Sequence, residues 1–158
     1  FVRPERPIPT EITALTGITE ADVATAPALA TALESFTAFA GDGVLVAHYG
    51  KSFDLPFLEA AAIRCGLPLR PVAFIDSIDL SRMLWPNEAS HRLDAVIERL
   101  GLSIGDLHRH DARADVKILA DAVRKMWLCL GSPFHQSPVP LREGRIPHLP
   151  ITPRGEPR

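Results

Sequence analysis

Cysteine is scarce in this chain of 158 residues: only Cys65 and Cys129 occur, far apart and with no companion at metal-ligand spacing. That excludes a disulfide scaffold and argues against a zinc site, so both thiols are expected to be reduced and buried. No apolar run approaches the roughly 18 residues of a membrane span, and no basic-then-apolar leader opens the chain; a cytoplasmic protein is the expectation. Charge of one sign is lacking too, with 17 Lys and Arg against 19 Asp and Glu and a net charge of -2. A strongly basic coat for nucleic acid is thereby excluded, and any such binding has to come from local patches. Gly41 and Gly43 are not followed by Gly-Lys-Ser/Thr, and Ser52 lacks a Gly-x-Ser-x-Gly setting, so neither a phosphate loop nor a hydrolase nucleophile is present. His108 and His110 flank Arg109 without a third soft ligand nearby.

What is there fits one folded domain: hydrophobic residues make up 46% of the chain, enough for a single core. Thr10 is placed to cap a short helix ending at Gly17, and Thr19 with Asp22 three residues on has the form of a capping box. Leu29, Leu33, Phe36 and Phe39 recur at helical spacing up to the Gly41-Asp42-Gly43 stop. Val44 to Ala47 is a short apolar run bounded by glycines, the pattern of a strand buried on both faces. Next, Phe53, Phe57, Ala61 and Cys65 share a helix face that Leu58 and Ala62 widen, with Pro56 tolerated in the first turn. Val72 to Ile75 reads as a second strand, then Ser77 to Leu84 and Arg92 to Leu100 as helices. The last helix carries its stripe on Ala112, Val116, Leu119, Ala120, Val123 and Trp127.

Strand, helix, strand, helix implies a parallel crossover and an α/β domain over residues 1–130. Two strands alone leave unpaired edges. The chain opens at Phe1 rather than Met, in FVRPERPIP, which reads as a strand end entering a proline-rich connection, so further strands are expected before it. From Gly131 to Arg158 the sequence is dense in proline and basic residues without period, and is read as a flexible C-terminal tail over 131–158.

Asp54 lies a few residues after the first strand and in the first turn of the next helix, near the strand end where open α/β sheets place ligands. The same position also suits a carboxylate that merely favours a helix N-terminus. Asp115 sits at the edge of the last helix's stripe, where an unpaired carboxylate would be costly and a cation, donor or metal is called for. His110 precedes it by five residues. Asp76, after the second strand, could approach the same strand-end site, but helix capping is the preferred reading.

Together these segments carry a resemblance. LVAHYGKSFDLPFL, DSIDLSRMLWP, SHRLDAVIERLGL and HRHDARADVKILADA occur in an order that resembles the DEDDh-type 3′-to-5′ exonucleases, the family that includes the proofreading epsilon subunit of bacterial DNA polymerase III. The likeness runs from Phe1 to about Leu130. It implies an RNase H-like sheet, here lacking its first strands, and four acidic residues with one histidine. The family's His-Asn-x-x-Phe-Asp motif falls on His48 to Asp54, with Tyr49 in place of Asn and one extra residue in the turn. Its His-x4-Asp motif falls on His110 and Asp115. Its opening Asp-x-Glu has no counterpart before Asp54.

The resemblance implies phosphodiester hydrolysis with two Mg²⁺ or Mn²⁺ ions, suited to hard carboxylate oxygens. Asp54 and Asp115 would hold metal. His110 would be the catalytic general base, its ordinary pKa near 6.5 matching neutral pH. Thr16 and Ile18, in the LTGIT segment, together with His48 and Phe53, would meet the 3′-terminal nucleotide. The expected partner is a nucleic-acid 3′ end, DNA rather than RNA, with a DNA polymerase subunit as a second. With the first acidic pair missing, weak or absent hydrolysis by this stretch alone is expected, and the alternative is a silent exonuclease-like module that binds a polymerase or other partner.

Overall fold

A computed structural model describes residues 1–103, 112–133 and 135–149. Short helices α1 (Thr10–Thr16) and α2 (Glu20–Val23) precede α3 (Leu29–Ala40), β1 (Leu45–Ala47) and α4 (Asp54–Arg64). They are followed by β2 (Leu69–Asp76), α5 (Ser77–Leu84), α6 (Leu93–Arg99), α7 (Ala112–Cys129) and β3 (Arg142–Pro147). The local chemistry is direct at α2, where the Asp22 carboxylate accepts the Thr19 N–H at 2.8 Å and its hydroxyl at 2.6 Å, closing the expected capping box. At α1, Thr10 is the first helical residue and Pro9 the N-cap, a place where a missing N–H costs nothing.

The strands form a mixed sheet in the order β1-β2-β3. β1 runs parallel to β2, pairing Leu45 with Phe74 and Ala47 with Asp76; β3 runs antiparallel, pairing Leu69 with Pro147 and Phe74 with Arg142. Because side chains alternate along a strand, β2 feeds two cores. Val72 and Phe74 meet Leu55 and Ile146, with Phe36 and Leu58 from α3 and α4 closing that side. Ile75 points to the opposite face, into a cluster of Leu80, Val96, Ala122, Val123, Met126 and Trp127 from α5, α6 and α7. The result is a central sheet with helices on both faces, the α/β architecture that strand-helix alternation implies.

Several details differ from the sequence reading. The 131–158 segment is not a featureless tail: β3 lies in it, Ile146 is fully buried, and Val139 packs into the α5–α7 core. β3 was invisible because REGRIP offers one strongly apolar residue and a proline, so no alternation shows. Its glycine is structural: a Cβ on Gly144 would stand 2.8 Å from the Leu55 side chain, so α4 sits close upon the strand. Arg142 fastens the start of β3 to α5 through a bidentate pair with Asp79, at 2.6 and 2.8 Å, which raises the pKa of its guanidinium further. Thr37 of α3 donates to Pro147 O at 3.2 Å, fixing the strand's end.

β1 is not buried on both faces, since it forms the described sheet's edge and Val46 is 44% exposed. On α4 the inward residues are Leu55, Leu58, Ala61 and Ala62, while Phe53 and Phe57 are exposed. On α7, Val123 and Trp127 of the expected stripe are buried beside Ala114, Ile118, Ala122 and Met126, while Val116 is exposed. Both errors have one cause. Each helix carries two adjoining apolar stripes, and the core takes residues from both while leaving out Phe57 and Val116 near the helix starts. Neither cysteine is buried: Cys65 is half-buried and Cys129 exposed, both as free thiols. No helix among the described residues is long and apolar enough to cross a membrane.

Two expectations follow. Ile146→Ala should lower the unfolding free energy by about 3 kcal/mol in urea titration, whereas a residue of a flexible tail would cost nothing. The two Thr19 bonds hold the Asp22 carboxyl below its ordinary pKa of 3.8. The cap's contribution is therefore complete above that value and lost as pH falls through the lower folded one. In an NMR titration the Thr19 amide resonance should move with a midpoint below 3.8.

Candidate active site

Parallel pairing of β1 with β2 brings both strand C-termini to one end of the sheet, with Ala47 beside Asp76. The chain leaves β1 through a tight turn, His48 to Phe53, before α4 begins at Asp54. Gly50 is buried in this turn, and a Cβ there would meet Ala47 Cβ at 2.7 Å and the Phe74 ring at 3.2 Å, so only glycine lets the turn lie on the strand end.

The turn is held from the β2 side. Asp76 is 5% exposed; its Oδ1 accepts N–H bonds from Tyr49 at 3.1 Å and Ile78 at 3.2 Å, and its Oδ2 accepts from Lys51 at 3.4 Å. The bond from Ile78 is the expected cap of α5. The neighbouring Ser77, fully buried, pairs its hydroxyl with His48 Nδ1 at 2.8 Å. Hydrogen bonds from Ser52 and Phe53 N–H to Tyr49 O, and from Leu55 N–H to Gly50 O, then carry the turn into α4. Asp54 is thus fixed relative to the sheet through Asp76.

Beside this turn, between the β1 edge and α7, lies a cavity of about 980 Å³. Asp54, Asp115, His48 and Phe53 all line it, so four residues singled out in the sequence, from two distant segments, meet at one place. Ala112, Val116 and Leu119 line its α7 wall, so the first turns of the apolar stripe face the cavity while Val123 and Trp127 further along enter the core. Thr16 and Ile18 are not on that wall; they sit at the end of α1, where Thr16 donates to Ile12 O and accepts the Ile18 N–H. His110 lies outside the described residues, as do His108 and Arg109.

Burial pushes the Asp54 carboxyl above its ordinary pKa of 3.8, with the charge of Asp76 adding to the rise and a backbone N–H bond opposing it. A half-buried carboxylate raised in this way favours a nearby cation. Asp115, half-buried in the first turn of α7, faces the same space. Hard oxygen donors on facing walls of one cavity fit a divalent ion such as Mg²⁺ or Mn²⁺. Among the described residues, no group of three His, Cys, Asp or Glu clusters tightly enough to hold a metal ion.

Sequence reasoning read Asp76 as a cap and did not see its second task, holding the Tyr49 and Lys51 N–H groups; DSIDL after a strand signals the cap only. It also placed Phe57 in the core, although its ring stacks on that of Phe53, 6.3 Å between centroids, with both exposed. Asp76→Ala would strand three N–H groups and should cost about 2–4 kcal/mol in chemical denaturation, with Asp76→Asn costing less because one acceptor oxygen remains.

Comparison with known proteins sets this geometry in a family. The sequence model of the RNase T exonuclease family matches residues 1–123. A DNA polymerase III subunit epsilon-like protein of Rhodobacter capsulatus is 42% identical over 127 residues, covering 80% of this chain and 18% of that protein. A PolC-type DNA polymerase III of Caldanaerobacter subterraneus is 37% identical over 126 residues, 80% of this chain and 9% of the relative. A putative bifunctional exonuclease/endonuclease protein of Mycobacterium tuberculosis is 40% identical over 130 residues, 80% and 20% respectively. The chain therefore spans a fifth or less of the length of these relatives. Among solved structures, exonuclease X in complex with 5′ overhanging duplex DNA superposes with a TM-score of 0.59 at 29% identity, covering 85% of this chain and 75% of that one. With the His48-to-Asp54 turn and Asp115 gathered at the strand ends of an α/β sheet, and the family model covering more than three-quarters of the sequence, the chain belongs to the RNase T exonuclease family.

Proposed function

We propose that the protein carrying this chain is a metal-dependent 3′-to-5′ exonuclease that hydrolyses phosphodiester bonds at single-stranded DNA ends, in proofreading or repair. The observation that carries the reading is the convergence of Asp54 and Asp115 on one cavity at the C-terminal end of β1, next to His48 and Phe53. In this reading Asp54 and Asp115 bind the metal from the α4 and α7 walls. Bound divalent ions supply charge neutralisation at the scissile phosphate and at the leaving 3′ oxygen.

The other steps fall to side chains of this chain. His110, five residues before Asp115 in the sequence, accepts the proton of the attacking water at an imidazole nitrogen. His48, held by Ser77, and the exposed Phe53 receive the terminal nucleotide, with Thr16 and Ile18 bearing on its far side. Affinity for an anionic polymer does not come from net charge, which is -2, but from local groups such as Arg92 on the cavity wall. The relatives named as DNA polymerase III proteins support a polymerase as partner.

In the full-length protein, Asp115→Asn or Asp54→Asn should lower Mg²⁺- or Mn²⁺-dependent trimming of a 5′-labelled single-stranded oligonucleotide by about 10²-fold or more. The far-ultraviolet circular dichroism should stay unchanged. Trimming that survives in the Asp115 variant would remove the assignment, and release of label from the 5′ end first would reverse the polarity.

A further inference from the structure

Tyr49 is the one non-glycine residue with positive φ among those described, at +68°. A side chain with a Cβ is disfavoured in that left-handed region, and asparagine or glycine fits it far better than a bulky aromatic residue. The conformation persists because the surroundings over-determine it: the Tyr49 N–H is committed to Asp76, and its carbonyl accepts from Ser52 and Phe53. The ring does not repay the strain by packing. It is 49% exposed, touches only the edge of His48 at 6.0 Å between centroids among its described ring contacts, and lies on the wall of the cavity that holds Asp54 and Asp115. Next to it, Phe53 is 68% exposed on the same wall, backed by Phe57. Strained backbone that presents an exposed ring to a candidate active site serves binding rather than stability.

We infer that Tyr49 is a specificity-determining residue: its ring, together with Phe53, forms the platform on which an unstacked base at the 3′ end lies, while Asp76 holds the backbone that presents it. This deepens the exonuclease reading and rests on it. Base–aromatic stacking is tolerant of sequence because every base has a π-face, so the platform selects single-stranded over paired ends rather than one base over another. Arg92, on the same cavity wall, is placed to meet the accompanying phosphate.

The test uses the full-length protein with Mg²⁺, comparing wild type with Tyr49→Asn and Tyr49→Phe. Relief of the left-handed strain should raise the thermal midpoint of Tyr49→Asn by about 1–3 °C. Its KM for a 5′-labelled oligodeoxythymidine should rise about five- to tenfold with kcat little changed, since a lost stacking contact weakens binding by at least that factor. Tyr49→Phe should match wild type within about twofold. An oligonucleotide whose 3′-terminal residues lack bases should raise the wild-type KM by a larger factor than it raises that of Tyr49→Asn, which has only the Phe53 ring left to lose. A lower midpoint for Tyr49→Asn would show the ring to be structural, and an unchanged KM would show that it does not touch substrate; either overturns the inference while the exonuclease reading stands. Wild-type protein that trims no oligonucleotide overturns both.

Discussion

The buried carboxylate of Asp76 is the tie on which the geometry of this site depends. It terminates β2, caps α5 and accepts two N–H groups from the turn that leads out of β1, so three pieces of backbone share two oxygen atoms. A buried carboxylate without a cation is ordinarily expensive. Here it is offset by three N–H donors and the positive end of α5. The arrangement also reaches the neighbouring acid: burial raises the Asp54 carboxyl, and the charge of Asp76 adds to that rise.

Everything that brings Asp54 and Asp115 together rests on the sheet's division of labour. β2 sends Val72 and Phe74 to one core and Ile75 to the other, which locks α4 onto one face and α7 onto the opposite one. The first residue of α4 and the first turn of α7 are then left at the same end of the sheet, beyond the β1 terminus. That is where an open α/β sheet leaves a crevice. Gly50 and Gly144 are the points where backbone must come close enough for this to happen, against Phe74 in one case and Leu55 in the other.

The parts of this that were legible in the sequence are those written in local chemistry. The Thr19–Asp22 box, the Asp76 cap and the strand-helix alternation each depend on residues close together in the chain, and each appears in the structure. Convergence of Asp54 and Asp115 was readable only through the resemblance of two motifs to a family, since 60 residues separate them. The failures occur where tertiary contact overrides pattern. Two apolar stripes on α4 and α7 gave no local means of choosing, and β3 owes its existence to Asp79, Leu55 and Thr37, none of which lies near it in sequence. The positive φ at Tyr49 was hidden for the same reason, being imposed by an aspartate 27 residues away.

The electrostatics of the cavity also constrain how a substrate binds. Asp54 and Asp115 line it and Asp76 lies buried behind Asp54, while the substrate in the proposed reading is itself anionic. Two like charges about 4 Å apart repel by roughly 4 kcal/mol at an effective dielectric near 20, so a phosphate cannot approach bare carboxylates without cations between them. Charge attraction from the protein is therefore poor at the reacting centre. In the proposed reading, holding the strand falls to Arg92 on the cavity wall and to the exposed rings of Tyr49 and Phe53, the latter backed by Phe57. In the proposed reading, such a division, with acids for the cations and rings for the bases, needs the two sets side by side but not overlapping. A turn bent into the left-handed region at Tyr49 brings that ring and Asp54 onto the wall of one cavity within six residues.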